Sequence, residues 1–413
     1  MSQAAIAPTE PSTRPSAQAP LQSTARASAL PSSEPPAAPA KLALLTHFSG
    51  LADPRQGGKV VFPLPEIMLL LLSATIAGAD DMVEVHEWGL AHLDFLRGFL
   101  PFHDDIPSHD TLCDVVNALD AEVFKTCFTD WVASLRDADP DIIAVDGKTS
   151  RRTHDRPKDR KPLHLVSAWA TRQRLVLGQQ ATAEKSNEIT AIPLLLERLG
   201  LKGAMVTIDA IGTQTEIAAK ILEKEGDYCL ALKENHPLLH AEVERLFDDP
   251  EAAGVATETV TTTDNDHGRL EIRQHTVCHE IDWLFSDRRY PGEIKFPGLA
   301  MIGMVVSETM RNGKRETACR YYLCSAKLSA PAFAKVVRAH WGVENGLHWV
   351  LDVIFDEDQC RLRTGFGPEN MAIVRHMAMN LLRQAATRGS LKVRRKKAGW
   401  SPTYLAKVLR GVG

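Results

Sequence analysis

Three acidic residues of this chain stand where a fold can hold metal-binding side chains rigidly. Asp146 and Asp209 each follow a short apolar stretch typical of a buried strand, at residues 142–145 and 205–208. Glu344 lies far downstream in a segment with helical character. Carboxylate oxygens select Mg²⁺, with Mn²⁺ as a substitute, over softer metals. Two such ions, held about 3.5–4 Å apart, let enzymes cut and join phosphodiesters.

This chemistry gives each carboxylate an expected role. Asp146 is predicted to bridge both ions, Asp209 to hold one ion and Glu344 the other, with no covalent protein nucleophile. Asp146 and Asp209 are 63 residues apart, and Glu344 follows 135 residues later. The fold must therefore bring distant segments together. Spacing alone leaves open the alternative that these are ordinary strand-end aspartates and a solvated helix glutamate.

Two neighbouring motifs point to other chemistry and are weaker. Residues 147–149, Gly-Lys-Thr, resemble the end of a phosphate-binding P-loop, but that motif needs a glycine where this chain has Ile142. His340, Glu344 and His348 lie at intervals of four, so they share one helical face and could ligate zinc. The His-Glu-x-x-His order of zinc hydrolases is absent, which disfavours that interpretation.

The periodicity of apolar residues predicts the elements that must position these side chains. Residues 41–135 show helical spacing, including one helix over 82–99 and another capped by Ser108 or Asp110. From residue 141 the order becomes β-β-β-α-β-α-β, which predicts an α/β fold, a mixed sheet flanked by helices. A β-rich stretch follows and contains a hairpin with Asn312-Gly313 at its turn. Helices return at 331–350 and 368–384.

The composition of the 413 residues, 44% of them apolar, indicates globular folding in more than one packed unit. The net charge of −4 does not by itself suggest a nucleic-acid binder. Residues 46–135 carry 4 basic and 14 acidic side chains, whereas residues 383–413 carry 9 basic and no acidic ones. DNA affinity depends on local basic surface, so the total charge does not exclude it. The acidic segment is not expected to be the main phosphate-contacting surface.

The chain's opening segment and its cysteines bear on the compartment. Residues 1–40 contain eight prolines and no apolar period, which predicts a disordered leader. The seven cysteines form no C-x₂-C pair, which argues against structural zinc or disulfides and for a reducing cytosol. No signal peptide opens the chain, and the apolar run at 67–78 is too short to span a bilayer. We expect a soluble cytoplasmic protein that has no membrane partner and is nucleoid-associated when it acts.

Basic segments offer candidate phosphate contacts. Lys148, Arg151 and Arg152 lie in a stretch directly after Asp146, and Lys233 follows the strand predicted at 228–232. The run at 392–397 is predicted to be a flexible basic arm with non-specific phosphate contacts. In each case a merely solvated loop is the alternative.

A series of motifs occurs in a fixed order over residues 45–385. They are Asp53-Pro54-Arg55, Gly58-Lys59-Val60, Ile106-Pro107-Ser108-His109-Asp110-Thr111, Ala144-Val145-Asp146-Gly147-Lys148, Thr207-Ile208-Asp209-Ala210, Leu232-Lys233-Glu234-Asn235, His267-Gly268-Arg269, His340-Trp341-Gly342-Val343-Glu344-Asn345, Leu347-His348-Trp349-Val350-Leu351-Asp352-Val353, Glu357-Asp358, Asn370 and Asn380-Leu381-Leu382. In this order they resemble the H-repeat-associated transposases, a branch of the DDE insertion-sequence enzymes.

The resemblance implies an RNase H-like catalytic domain at 136–385, interrupted by a β-rich insertion at about 250–325. A helical transposase-associated domain at 41–135 precedes it, after the leader at 1–40, and a basic tail at 386–413 follows. It also implies the catalytic and metal-binding roles of Asp146, Asp209 and Glu344, with two Mg²⁺ ions. The implied activity is cleavage of DNA at terminal inverted repeats and transfer of the freed 3′-hydroxyl to target DNA by at least a homodimer. A stand-alone RNase H-like nuclease and an inactive DNA-binding relic are the alternatives.

The chain departs from related insertion-sequence enzymes around the glutamate. Their Tyr-x₂-Arg-x₃-Glu-x₆-Lys signature, aligned on Glu344, falls on Val337, His340 and Leu351. DNA-end contacts are therefore expected from other groups. The candidates are Arg338, Asn345 and His348.

Overall fold

The computed structural model describes residues 42–155, 159–182, 188–266, 269–285, 293–311 and 314–411. The expected leader at 1–40, the Asn312-Gly313 turn and the His267-Gly268 pair lie outside these residues. Within the described ranges, no helix is long and apolar enough to cross a membrane.

Between residues 42 and 141, six helices precede the sheet. They are α1 (Ala43–His47), α2 (Leu64–Ala77), α3 (Met82–Ala91), α4 (Leu93–Arg97), α5 (His109–Ala118) and α6 (Ala121–Leu135). Helix α2 is apolar on almost every side and is buried along nearly its whole length. The Ser108 hydroxyl accepts a hydrogen bond from the Thr111 amide, so Ser108 is the N-cap of α5. Of the two expected caps, Ser108 and Asp110, the structure therefore has the first. The single helix predicted over 82–99 is instead two helices, because the backbone leaves helical geometry at His92.

Nine strands of the described residues form one sheet in the order β3-β2-β1-β4-β5-β9-β8-β7-β6. Strands β1 (Ile142–Ser150), β2 (Leu163–Ala170) and β3 (Leu175–Thr182) are antiparallel, while β4 (Met205–Ile208) and β5 (Asp227–Leu232) run parallel to β1. This mixed β-β-β-α-β-α-β arrangement confirms the expected RNase H-like fold class.

The β-rich segment extends that sheet. Strands β6 (Thr257–Asp266), β7 (Arg269–Cys278), β8 (Met301–Arg311) and β9 (Lys314–Cys324) are antiparallel neighbours. Strand β9 pairs antiparallel with β5, with Cys324 opposite Cys229. The strands predicted after residue 250 are therefore present, and they continue the sheet of β1–β5 rather than forming a separate one.

In the part of the chain that the structure describes, eight helices surround or follow the sheet. They are α7 (Glu188–Arg198), α8 (Thr215–Glu223), α9 (Pro237–Asp248), α10 (Ala330–His340), α11 (Trp349–Ile354), α12 (Gly367–Gln384), α13 (Leu391–Trp400) and α14 (Pro402–Leu409). Helix α10 crosses β1 and β4 and reaches β6 and β7. Helix α12 is almost fully buried and packs against α2, α5, α6 and β3, which joins the N-terminal helices to the sheet.

The basic run at 392–397 is not the flexible arm that its charge predicted. It lies in α13, which packs against α2. Arg395 in this run is buried and donates hydrogen bonds to the carbonyls of Thr75, Ala79 and Ile354 and to the Asp80 carboxylate. A charge run predicts a solvated face, but here one arginine satisfies the carbonyls at the end of a buried helix.

Candidate active site

The two aspartates are brought side by side by the register of two parallel strands. Residues 142–145 of β1 pair with residues 205–208 of β4, so Val145 lies opposite Ile208. Asp146 is the next residue of β1, and Asp209 directly follows β4, at the point where the parallel pairing ends. Asp146 does not end its strand as predicted, because β1 continues to Ser150 on β2.

The loop that carries Asp209 is fixed by neighbouring hydrogen bonds. The Asp209 carboxylate accepts a hydrogen bond from the Ile211 amide at 3.1 Å and caps a short 3₁₀ turn. The Asn235 side chain donates to the Ala210 carbonyl at 2.7 Å, and His236 lies 2.6 Å from the Thr213 carbonyl. Asn235 and His236, shortly after β5, thus hold the Asp209 loop in place.

Glu344 enters the same crevice from a turn of π-helix, Glu344–His348, in which the Trp349 amide bonds the Glu344 carbonyl five residues earlier. Such widened turns are rare and recur at functional sites. The Glu344 side chain is 57% exposed, whereas that of Asp146 is 18% exposed. All three carboxylates line one crevice, together with Lys233, Arg320, His340 and Trp341.

The π-helical turn rests on a buried aromatic ring and an arginine. A Cβ at Gly346 would lie 3.0 Å from the Trp169 ring, so glycine allows the turn to approach this indole. The Arg383 guanidinium stacks on the other part of the same ring at 4.3 Å and donates hydrogen bonds to the carbonyls of Gly346 and Arg174. This contact ties the glutamate turn to α12 and β2.

His348 stands beside two of the carboxylates. Its Nδ1 atom lies 3.6 Å from Asp146 Oδ2 and 3.6 Å from Glu344 Oε2. One donor atom from each of these three residues falls within 4.8 Å of the others. The donor set fits a divalent cation, since two carboxylates supply charge and all three side chains face a common point. Asp209 lines the crevice but is not part of this closest group.

The electrostatics of the crevice favour a bound cation. Burial raises the pKa of Asp146 to about 7, the Gly147 amide hydrogen bond opposes this, and the charges of Glu344, Asp209 and Glu188 add to it. Burial lowers the pKa of His348 and of His340, against the raising effect of nearby carboxylates. Positive charge at this point would stabilise the ionised form of Asp146.

Lys148 is already paired. Its ammonium lies 2.7 Å from Asp352 Oδ1 and 2.8 Å from Glu357 Oε2, and its side chain is 11% exposed. Burial would lower its pKa, but Glu357 and Asp352 outweigh burial and raise it. The structure thus places Lys148 between β1 and the segment after α11, and its predicted DNA contact stays a prediction.

The other predicted DNA contacts are spread over the surface around the crevice. Arg151 is 81% exposed beside Asp358, and Arg152 is exposed next to it. Lys233 is exposed and lines the crevice itself. Arg338 is half exposed, pairs with Asp264 at 3.0 Å and lines a second groove with Arg320 and Trp341. Asn345 is exposed but faces a third groove, near Arg172 and Arg174.

The sequence did not single out several residues of the site. Arg320 stacks on Trp341 at 5.0 Å on the rim of the crevice, and β9 supplies it from far along the chain. Glu188 pairs with His164 at 2.7 Å behind Gly147, with both side chains buried. No local pattern marks such residues, because the sheet brings them together only through long-range pairing.

Comparison with known proteins gives a consistent result. Residues 111–381 match the family model described as transposase DDE domain, and residues 45–132 match one described as DDE_Tnp_1-associated. The chain is 39% identical over 373 residues to "H repeat-associated putative transposase YhhI" of Escherichia coli (strain K12), covering 90% of this chain and 98% of that protein. It is 38% identical over 371 residues to "Putative transposase YncI" of Escherichia coli O157:H7, covering 89% and 94%. These matches confirm the resemblance drawn from the motifs.

A solved structure described as "Cryo-EM structure of piggyBac transposase synaptic complex with hairpin DNA (SNHP)" is similar at a TM-score of 0.38 and 11% identity. The similarity covers 86% of this chain and 75% of that one.

Proposed function

The chain belongs to the family of DDE transposases, and from this membership we propose that it cuts DNA at the ends of a bacterial insertion sequence and joins the freed 3′-hydroxyl to target DNA. The observation that carries this proposal is the meeting of Asp146, Asp209 and Glu344 in one crevice, each on a different element. The chemistry expected of the carboxylates and the DNA-processing role of the family point the same way.

The three carboxylates would hold two divalent ions, Mg²⁺ or Mn²⁺, which the family generally uses. Asp146 would hold both ions, one together with Asp209 and the other together with Glu344. Two observations support this: strand register puts Asp146 beside Asp209, and the carboxylates of Asp146 and Glu344 both lie 3.6 Å from His348 Nδ1. When bound, the ions would supply the charge that activates the attacking hydroxyl and stabilises the leaving oxygen. The strand of Asp146, the capped turn of Asp209 and the π-helical turn of Glu344 fix the backbone that carries the three carboxylates.

DNA would approach the carboxylates along the positively charged side chains on the rim of the crevice. Lys233 and Arg320 line the crevice, and Arg338 lies in the adjoining groove. Exposed cations attract phosphates and set the position of the duplex without reading its sequence. Arg151 and Arg152 extend this surface beyond β1. For Lys148, whose ammonium is buried in ion pairs, we propose a role in fixing the end of β1 instead.

Joining the two ends of one element requires both ends in one complex. We therefore propose that at least two copies of the chain assemble on DNA, at the nucleoid. Terminal inverted repeats beside the gene encoding this chain would be the substrate.

The test is an end-cleavage and strand-transfer assay with the DNA that flanks the chain's own gene. The purified protein should release a 3′-hydroxyl at the repeat ends in Mg²⁺ or Mn²⁺ and join it to a target plasmid. Asp146→Asn should abolish both steps, because the buried position then lacks a charge for the cations. Asp248→Asn, at an exposed site on α9, is the matched control and should leave both steps intact.

Two results would contradict the proposal. Equal cleavage by wild type and Asp146→Asn would remove the crevice as the catalytic site. Metal-dependent cleavage without any joining would replace the transposase by a stand-alone nuclease.

A further inference from the structure

We propose that His348 is a nitrogen ligand of the metal site. With Asp146 and Glu344 it would form a mixed nitrogen and oxygen donor set that selects a transition ion such as Mn²⁺ over Mg²⁺. This inference rests on the proposed function, since it concerns the same crevice. It assigns to His348 a role different from the DNA contact that its place next to the glutamate suggested.

The geometry around Nδ1 fits coordination better than hydrogen bonding. The two distances of 3.6 Å from Nδ1 to Asp146 Oδ2 and Glu344 Oε2 exceed those of ordinary hydrogen bonds. Adjacent ligand atoms on one octahedral ion are roughly 3 Å apart, and opposite ones roughly 4 Å, for bond lengths near 2.1 Å. The two separations from Nδ1 lie between these values, and the three donor atoms fall within 4.8 Å of one another, so side-chain rotations would bring all three onto one ion.

Burial makes a direct DNA contact unfavourable for this histidine. Its side chain is 9% exposed, and its ring nitrogen Nδ1 faces the carboxylates rather than the protein surface. The other nitrogen, Nε2, is buried and has no hydrogen-bond partner among the residues that the structure describes. Nδ1 lies toward the two carboxylates, so a cation between the three side chains would bind this nitrogen and leave the ring proton on Nε2.

The local helix geometry explains why two ligands come from one short segment. Glu344 and His348 are the first and last residues of the π-helical turn, four positions apart, so both side chains lie on the same face. The turn is held from behind by Trp169 and Arg383. Asp209, outside the closest group, remains available for a second ion that has only oxygen ligands.

A nitrogen donor changes the expected metal preference. Mg²⁺ in proteins is bound through oxygen and keeps several waters, whereas imidazole suits transition ions. The chain should therefore bind Mn²⁺ more tightly than Mg²⁺ at its first site. Replacing His348 by aspartate, which exchanges the nitrogen donor for an oxygen donor, should lower the ratio of Mn²⁺ to Mg²⁺ affinity.

The test uses electron spin echo spectroscopy of the full-length protein with less than one equivalent of Mn²⁺. Wild type should show nuclear modulation from a directly bound histidine nitrogen, and labelling histidine with ¹⁵N should change that modulation. His348→Asp should retain bound Mn²⁺ but lose the modulation. His340→Gln is the matched control: this histidine lines the same crevice, but its Nδ1 lies 3.0 Å from the Thr207 hydroxyl. Its modulation should be unchanged.

The outcomes separate this inference from the function on which it rests. Mn²⁺ binding that depends on Asp146 but shows no histidine nitrogen in wild type would overturn the role of His348 alone. Loss of the modulation in His340→Gln rather than in His348→Asp would also overturn it. Absence of any Asp146-dependent Mn²⁺ binding would instead contradict the proposed function. If the His348 variant does not fold, wild type and His340→Gln together decide the question, because modulation that persists without His340 cannot come from that histidine.

Discussion

Asp146 is the residue at which the contacts of the site converge. Its carboxylate faces Glu344 and His348, and the backbone that follows it runs against the buried pair of Glu188 and His164. Gly147 makes this approach possible, because a Cβ there would lie 2.6 Å from His164 Nε2 and would also overlap Glu188. Because Gly147 has no side chain, the strand at Asp146 can pack directly against the buried pair of His164 and Glu188.

Replacing Gly147 by alanine should displace the His164 and Glu188 pair and lower the free energy of unfolding by about 1–3 kcal/mol, a typical effect of overpacking. Cleavage should fall as well, because Asp146 moves with its strand. The matched control is Gly342→Ala, where a Cβ would meet nothing within 4 Å among the described residues. Urea denaturation of both variants measures the difference, and equal stability would contradict the packing argument.

Single residues show what sequence can reveal at this scale. The acidic residue types, their apolar context and the ordered motifs predicted Asp146, Asp209 and Glu344, and the structure brings all three into one crevice. The basic residues were harder to assign, since charge does not reveal partners. Lys148 and Arg395 are both buried in ion pairs. In the sequence, nothing distinguishes them from the exposed basic residues beside each of them.

The π-helical turn is the element on which the position of Glu344 depends. It lies between α10 and α11. Without contacts to its carbonyl groups, this wider turn could return to ordinary α-helix. Arg383 on α12 supplies the hydrogen bond to the Gly346 carbonyl while its guanidinium stacks on Trp169. Burial and neighbouring arginines lower the pKa of Arg383 to about 9, which still leaves it charged at neutral pH.

Arg383→Met should keep the contact of the side-chain stem with Trp169 but lose the hydrogen bonds to Gly346 and Arg174. We expect a folded protein with weaker Mn²⁺ binding and a cleavage rate lowered by about 10²-fold, since small misplacements of catalytic groups have effects of this size. DNA affinity should change little. Arg383→Lys should recover part of the rate.

The control for this change is Arg388→Met, which alters an exposed arginine shortly after the same helix. Calorimetric titration with Mn²⁺ and single-turnover cleavage are the measurements. If Arg383→Met lowers stability but leaves Mn²⁺ affinity and cleavage at wild-type values, Arg383 has only a structural role.

Periodicity predicted most elements but not their irregularities. Helix over 331–350 was expected, and helix is present, but the widened turn inside it depends on Trp169, Gly346 and Arg383 meeting from three distant segments. The strand of Asp146 was expected to end at that residue, and instead its antiparallel pairing with β2 carries it further. Both features arise from tertiary contacts that no local pattern records.

At the scale of the whole molecule, the C-terminal helices close the structure around the buried α2. Arg395 binds carbonyl groups at the end of α2, pairs with Asp80 at 2.6 Å and stacks on Phe355 at 4.6 Å. The residues after 390 thus connect the N-terminal helices with the segment that follows the glutamate helix. Their first role is stability, and the exposed lysines of α13 remain available for phosphates.

Arg395→Met should lower the free energy of unfolding by about 3 kcal/mol, because it leaves Asp80 and several buried carbonyls without their donor. Lys396→Met, at the next and exposed position, should change it by less than about 0.5 kcal/mol. Guanidinium denaturation of the two variants gives the comparison. Equal stability would restore the interpretation of residues 392–397 as a flexible arm.

The overall architecture was predictable to the level of fold class. The order of strands and helices and the family motifs indicated an RNase H-like sheet with a β-rich segment before the glutamate. The pairing of β9 with β5 was not predictable, because alternation of apolar and polar residues indicates a strand but not its partner. Cys229 and Cys324 lie opposite each other on these strands although they are 95 residues apart in the sequence. The domain boundaries stay predictions.

The most direct test of the central claim is cleavage of an element end with a single sulfur in place of a non-bridging oxygen at the scissile phosphate. If ions held by Asp146, Asp209 and Glu344 contact that phosphate, the sulfur should slow cleavage strongly in Mg²⁺, and Mn²⁺, which accepts softer ligands, should restore it. An equal effect of sulfur in both metals, or cleavage that needs neither metal, would contradict a metal-dependent transposase site in this crevice.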